Sequence, residues 1–298
     1  MAKYDWGAMV SFLAIARAGR LTTAARRLGI DHTTLSRRIK SLEEDLGTQL
    51  FERSVSGYRL TPQGEKFLRT AQEIETLALR ASQEISGSSS RIAGSVRIGA
   101  TDGFGTSFLA PRLPVMSAPH PELLLELVTM PRLFNLTKRE ADLAIGLERP
   151  EAGRLYARKL TDYDLCLYGA KGYLAKHGEP ITSRDLREHR FVGYIPDLIY
   201  AEQLDYLPLV SKDTDPWIAS SNLVAQFNMT LANAGLCVLP RFMAAREPRL
   251  RHVLADQVRI TRAFWLIVHA DIRDLARIRY CSDFLVEEIR ANRDLFLQ

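Results

Sequence analysis

Apolar positions recur at helical spacing in four blocks over the first ninety residues, and beyond them they gather in short runs of strand character. Met9, Phe12, Leu13 and Ala16 form one stripe, with Asp5 placed to cap its start and Gly19 to end it. A short second block, TTAARRLG, has Thr22 as its cap and Gly29 as its stop. Its Ala24 and Ala25 are small enough for close helix crossing. In the third block Leu35, Ile39, Leu42 and Leu46 follow one another at spacings of four, three and four, so they share one helix face behind a cap at Asp31. Thr33, Arg37 and Lys40 fall on the opposite face.

After Gly47 the segment TQLFERSVSGYRLT reads as two short strands turned around Ser56 and Gly57. Thr61 and Pro62 then start a long helix in which Phe67, Ala71, Ile74, Ala78, Ala81 and Ile85 keep a heptad pattern. That seam fits either a dimer contact or burial against the chain's own body. The following SGSSSRIAGS breaks all periodicity and reads as a flexible hinge.

Two short helices joined by a tight glycine turn, followed by a hairpin, predict a winged helix-turn-helix. The third block is then the element that enters double-stranded DNA, although an ordinary amphipathic helix with a solvated face has the same pattern. Its Glu43, Glu44 and Asp45 would be repelled by phosphates, so only the N-terminal half can lie close to a duplex. Arg53 and Arg59 on the hairpin suit phosphate contacts, which hold register without reading sequence, and taken singly they also suit plain surface charge.

From Ser95 onward SVRIGA, LLLELV, ADLAIG, YDLCLYG, RFVGYI, GLCVLP and FWLIVH alternate with helical stretches, which predicts parallel sheets covered by helices on both faces.

Length and charge sharpen this picture. A chain of 298 residues is long for one domain, which favours two. The formal charge of +5 is uneven: residues 1–60 hold ten basic against six acidic side chains, an excess of four at one end. That asymmetry points to a polyanion partner there. No apolar run approaches the roughly 18 residues of a spanning helix, and MAKYDWGAMV lacks a signal-peptide core, so the expectation is a cytoplasmic protein without a membrane partner. Cys166, Cys237 and Cys281 lie far apart in apolar segments and suit buried thiols better than a redox pair. The six histidines show no metal-site or triad pattern, and GxSxG, HExxH and the P-loop are absent. No enzyme activity, metal or cofactor is expected.

The order of these elements points to a family. AIARAGRLTTAARRLGI, TTLSRRIKSLEEDLGTQLFER and YRLTPQGEKFL, within residues 1–90, closely resemble the N-terminal region of LysR-type transcriptional regulators. The chain departs from many members at Asp31, His32, Thr33 and Thr34, where a Ser-Gln-Pro-Ala type of sequence is common, so theirs do not predict the bases it reads. The resemblance implies an α+β protein: a winged helix-turn-helix over 1–61, a linker dimerisation helix over 62–90 and an effector-binding domain over 91–298. The last would comprise two Rossmann-like subdomains of the periplasmic-binding-protein type, one about 95–163 and 266–298, the other about 164–265.

It further implies base approach by His32, Thr33, Ser36 and Arg37, and Arg37 has the chemistry to pair with guanine. Together with Lys40, Arg53 and Arg59 these form the expected DNA-binding set.

A small-molecule effector is expected between the subdomains, where helix N-termini offer free N–H groups to anions. Its candidate contacts are Thr101 and Asp102 after the first strand, Met130 and Arg132 after LLLELV, Tyr194 and Ile195 after RFVGYI, and Ser221 and Asn222. Arg132 suits neutralisation of a carboxylate or an exposed charge at a helix start equally. Asp102, expected at the pocket mouth, would disfavour a bare anion unless Arg132 or another cation lies near. Further implied partners are a second copy of the chain, as homodimer or homotetramer, and RNA polymerase. Other readings are an effector-independent architectural DNA binder and a solute-binding protein, which should carry a secretion signal and no helix-turn-helix.

Overall fold

The computed structural model describes residues 5–54, 57–85, 92–130, 140–151, 153–211 and 214–298. They divide into two units, Met1–Ser89 and Ser90–Gln298.

In the first unit the apolar stripes converge on Phe12. It lies on α1 (Trp6–Ala18), and around it pack α2 (Leu21–Leu28) and α3 (His32–Leu46). Met9, Leu13 and Ile15 of α1, Ala24 and Ala25 of α2, and Leu35, Ile39 and Leu42 of α3 form one buried cluster. The Phe12 ring stands 5.1 Å from Phe51 and 4.9 Å from Phe67, which ties the following hairpin and helix to the same core. All three helices stop at glycines in the left-handed region, Gly19, Gly29 and Gly47.

Asp5 occupies the cap position of α1, but its side chain makes no cap hydrogen bond. The expected start at Thr22 is corrected: α2 begins at Leu21, and Arg20 is its cap residue. Leu21 packs against the core cluster, and burying it recruits the backbone ahead of Thr22 into the helix.

The wing consists of β1 (Phe51–Ser54) and β2 (Gly57–Leu60), antiparallel, with Phe51 opposite Leu60 and Ser54 opposite Gly57. Val55 and Ser56 lie outside the described residues. Thr61 then caps α4 (Pro62–Ile85): its hydroxyl donates to the Gln49 carbonyl at 2.8 Å and accepts from the Gly64 N–H at 2.9 Å.

The heptad seam of α4 is divided. Ala71 is buried and Phe67 and Ile74 pack against the core, so this half is covered by the chain itself, whereas Ala78 and Ala81 are exposed. The Ile85 side chain and most of the expected hinge, residues 86–91, lie outside the described residues.

The second unit is one mixed sheet. Its strands are β3 (Gly94–Ala100), β4 (Leu123–Thr129), β5 (Leu143–Gly146), β6 (Leu155–Ala170), β7 (Phe191–Gly193), β8 (Ile218–Ala219), β9 (Leu236–Pro240), β10 (Leu250–His252) and β11 (Arg259–His269). They run in the order β4-β3-β5-β11-β6-β9-β7-β8, with β10 on β6. The parallel prediction holds at the two flanks, for β3 with β4 and β5 and for β7 with β8 and β9. It fails in the middle, where β6 and β11 pair antiparallel over eleven residue pairs.

These two strands are longer than their apolar runs, because their outer ends are half exposed and carry polar residues that periodicity does not mark. The C-terminal helix spans Ala276–Ala291, and Ile272 and Leu275 are buried in a turn before it.

One contact in the first unit makes a sharp demand. The Tyr58 N–H donates to the Gly19 carbonyl at 2.8 Å, and Gly57 beside it has φ of +129°. A Cβ on Gly57 would stand 2.2 Å from the Gly19 oxygen. Gly57→Ala is therefore expected to destabilise this unit by roughly 1–3 kcal/mol or more through strain and loss of that bond. Urea melts of the full chain followed in the first unit should show it, and an unchanged midpoint would contradict the argument.

Candidate functional site

The exposed face of α3 is built from its cap. Asp31 accepts from the Thr33 N–H at 2.7 Å and from the Thr33 hydroxyl at 2.5 Å, and the His32 Nδ1 lies 3.6 Å from its other oxygen. These bonds hold the Asp31 carboxyl below the usual carboxylate range. Thr33 thus presents mainly its methyl group outward, and His32 and Arg37 stand exposed beside it. Ser36 is half-buried and, with Lys40, lines a groove between α3 and the wing. Lys40 reaches Glu44 at 3.7 Å across one turn. Arg59 is exposed on β2, whereas the Arg53 side chain lies outside the described residues.

Two charged residues in this unit have structural tasks that the sequence does not announce. Glu43 is a clasp: its Oε1 accepts from the N–H groups of Leu50 at 2.7 Å and Phe51 at 3.1 Å, fixing the turn from α3 into the wing. Arg17 is bidentate on Glu75 at 3.0 and 2.5 Å, tying α1 to α4. Part of the N-terminal basic excess is therefore internally neutralised.

In the second unit a cavity of about 20 Å³, room for a water molecule, lies beside the start of the helix Leu223–Leu231. Thr101, Asp102 and Tyr194, three of the residues proposed from the sequence, line it. Most of its wall was not foreseen: Phe104, Tyr163, Tyr200, Tyr206, Phe242 and Phe264. Tyr163 stacks on Phe264 at 4.1 Å, and Phe104 lies 4.7 Å from Phe264. Phe242 follows β9 directly, so a strand-end position marks it. Tyr200 and Tyr206 sit in DLIYAEQLDYLP, which has no period from which to place them.

The other expected contacts lie elsewhere in this unit or outside the described residues. Met130, Ile195, Ser221 and Asn222 do not line this cavity. The Met130 N–H donates to the Ala100 carbonyl at 3.3 Å, extending the β3–β4 pairing. The Ile195 carbonyl accepts from the Leu198 N–H at 3.0 Å, and the Asn222 side chain caps its helix at the Ala225 N–H, 2.9 Å away. Ser221 is half-buried and no cavity contact engages it. Arg132 lies outside the described residues.

Asp102 is not at a mouth but buried, with 5% exposure, and it accepts from the Leu223 N–H at 2.5 Å. Gly103 makes this approach feasible, because a Cβ there would meet the Leu223 side chain at 2.7 Å. Burial pushes the Asp102 carboxyl above its ordinary range, against the lowering pull of the backbone N–H groups around it.

The three cysteines are buried and unpaired. Burial pushes Cys166 up to about 11 and Cys237 and Cys281 up to about 12, so they are inert thiols near neutrality. Among the described residues no group of side chains is arranged to hold a metal ion, and no helix is long and apolar enough to cross a membrane.

Residues 6–65 match the family model described as "Bacterial regulatory helix-turn-helix protein, lysR family", and residues 89–290 match "LysR substrate binding domain". The HTH-type transcriptional regulator CrgA of Neisseria meningitidis serogroup C is 28% identical over 287 residues, covering 94% of this chain and 96% of CrgA. The HTH-type transcriptional activator TtdR of Escherichia coli K12 is 31% identical over 175 residues, 59% of this chain and 56% of TtdR. Among solved structures, that of CrgA from Neisseria meningitidis aligns with a TM-score of 0.60 at 26% identity, over 96% of this chain and 99% of the other. A full-length OxyR variant from Pseudomonas aeruginosa aligns with a TM-score of 0.73 at 21% identity, over 95% and 96%, a likeness of fold.

The buried carboxyl gives this unit a defined pH response. A carboxyl whose pKa is higher folded than unfolded takes up a proton on folding. Its contribution is fully present below the unfolded value of about 4 and is lost as pH rises through the raised folded value. Asp102→Asn should therefore gain stability relative to the wild-type chain as pH rises from about 4 toward neutrality. Thermal melts of both proteins across that range test this, and parallel curves would contradict it.

Proposed function

The chain belongs to the LysR family of bacterial transcriptional regulators, and from that premise we propose that it binds specific duplex DNA through α3 and the wing under control of a small-molecule effector held in the second unit. The family is one of DNA-binding regulators rather than enzymes.

The observation that carries the DNA half is the asymmetry of α3. Leu35, Ile39 and Leu42 are buried, the acidic C-terminal end is anchored to the wing by Glu43, and His32, Thr33 and Arg37 stand exposed at the free N-terminal end. A recognition helix needs this polarity, since its N-terminal residues meet base edges in the major groove. Arg37, which has no ion-pair partner among the described residues, reads a guanine. Thr33 offers a methyl to a thymine, and His32 and Ser36 flank them. Lys40, Arg53 and Arg59 contact phosphates.

In this reading residues 1–61 are the reader, 62–90 the dimerisation linker and 91–298 the cytoplasmic regulator's sensor. The linker's partner face is the exposed C-terminal part of α4, around Ala78, Ala81 and the 62% exposed Leu77, because the earlier seam positions are consumed by the core. Dimers or tetramers then present paired reading helices to a two-fold site, beside RNA polymerase.

The effector half rests on the aromatic cavity, with Thr101, Asp102 and Tyr194 among its walls. At about 20 Å³ it is too small for most metabolites, so an effector must be admitted by opening, and it shifts the population only through unequal affinity for open and closed forms.

Two substitutions test the reader. On a duplex obtained by selection from random sequence, Arg37→Ala should cost about 1–3 kcal/mol and relax the preference at one base pair, while binding to unselected DNA changes little. Equal loss on both DNAs in a gel-shift titration would remove Arg37 from base reading. Arg59→Ala should instead weaken both alike and reduce the slope of log affinity against log salt by about one. An unchanged slope would remove it from the phosphate contacts.

A further inference from the structure

The helix Leu223–Leu231 is the feature that should attract an acidic ligand to the cavity, because a helix start offers N–H groups without intrahelical partners. Here three of them are taken. The Asn222 N–H donates to the Ser220 hydroxyl at 3.1 Å, and the Ala225 N–H to the Asn222 side chain at 2.9 Å. The Leu223 N–H between them donates to the Asp102 carboxylate at 2.5 Å. Asp102 comes from the other flank of the sheet, 121 positions earlier, directly after β3. Its carboxylate stands where the acidic group of a bound molecule would stand.

The rest of the wall reinforces this. Among the described residues no arginine, lysine or histidine lines the cavity, and Asp102 is its one charged residue. A second anion at this helix start would therefore meet a carboxylate at close range. Among the described residues the wall also holds a buried polar group without a hydrogen bond, the Tyr206 hydroxyl, with the residue 4% exposed. The Tyr194 ring, 5.8 Å away, is its aromatic neighbour.

We propose that Asp102 is a resident ligand of the cleft. It fills the anion position at the start of the helix Leu223–Leu231 and joins the two flanks of the sheet, so the effector is an uncharged ring compound whose hydrogen-bonding group pairs with Tyr206. Acidic molecules are excluded as long as Asp102 is present. This rests on the reading of the cavity as the effector site.

The proposal has a direct chemical test. Changing Asp102 to alanine removes one carboxylate group and leaves the Leu223 N–H without its acceptor. The lost fragment has the size and charge of formate. Full-length Asp102→Ala protein, melted at mildly alkaline pH in increasing sodium formate against sodium chloride of equal ionic strength, should rise in Tm with formate and stay level in chloride. Wild-type protein and Asp102→Asn, in which the space remains filled, should show no difference between the two salts.

If Asp102→Ala does not fold in chloride, its recovery as folded protein in formate buffer is the same readout. A formate response of equal size in the wild type, or none in Asp102→Ala, overturns the proposal. Duplex binding by the wild-type chain is measured separately. Its absence would overturn the regulator reading and leave the formate result standing.

Discussion

A carboxylate cut off from water has to find donors within the fold, and Asp102 finds them at the start of a helix that belongs to a distant part of the chain. Much of the second unit's geometry follows from that requirement. Gly103 must lack a side chain so that Leu223 can come close, and Thr101 and Phe104 are carried to the same wall. The interaction has two opposed parts. Desolvation penalises the charge, and the converging N–H groups and the positive end of the helix favour it. Because the net effect raises the pKa, the contact is better read as a device of position than as a source of stability.

What makes such a contact adjustable is the pair of strands behind it. β6 and β11 pass through both flanks: the first part of β6 and the last part of β11 pair with each other beside β5, and the later part of β6 pairs with β9. Their register slips between Phe264 and Trp265, where the ladder is locally interrupted. The extra residue is Leu160 of β6, facing the step from Phe264 to Trp265, and Phe264 stands in the aromatic wall. A change of angle at this ribbon and a change at the Asp102 contact are therefore felt at one set of rings, with Tyr163 stacked on Phe264 between them.

How far this was legible depended on the range of the interactions involved. The helix ends of the first unit were readable because glycines in the left-handed region and the Asp31 cap act within a few residues. The buried faces were readable because Leu35, Ile39 and Leu42 carry their period in the sequence. Contacts closed over long separations were not. Arg17 meets Glu75 across 58 positions, and the tyrosines at 200 and 206 reach the cavity from a stretch without any period. The heptad of α4 shows the same limit from the other side. Its pattern is real, but a pattern states that a face is buried and not by what, and Phe67, Ala71 and Ile74 are buried by their own chain. For a related reason a strand end alone does not say what its side chains do: whether one there points into a cavity or caps a helix, as Asn222 does, is decided by the backbone.

Glu43 shows how one of these long-range facts changes the meaning of a local one. As a charge near the end of α3 it reads only as a group that phosphates would repel. By accepting two N–H groups from Leu50 and Phe51 it becomes the joint that sets the wing against the helix, and its charge is partly absorbed in that task. The acidic end of α3 is thus held by the fold through Glu43, while Glu44 and Asp45 stay exposed there and Arg37 is exposed toward the other end. A helix anchored at its C-terminus through the wing and along its inner face through Leu35, Ile39 and Leu42 has one free surface, the one that begins at the Asp31 cap. The division of α3 into a reading half and an anchoring half therefore follows from where its hydrogen bonds go, and charge repulsion only adds to it.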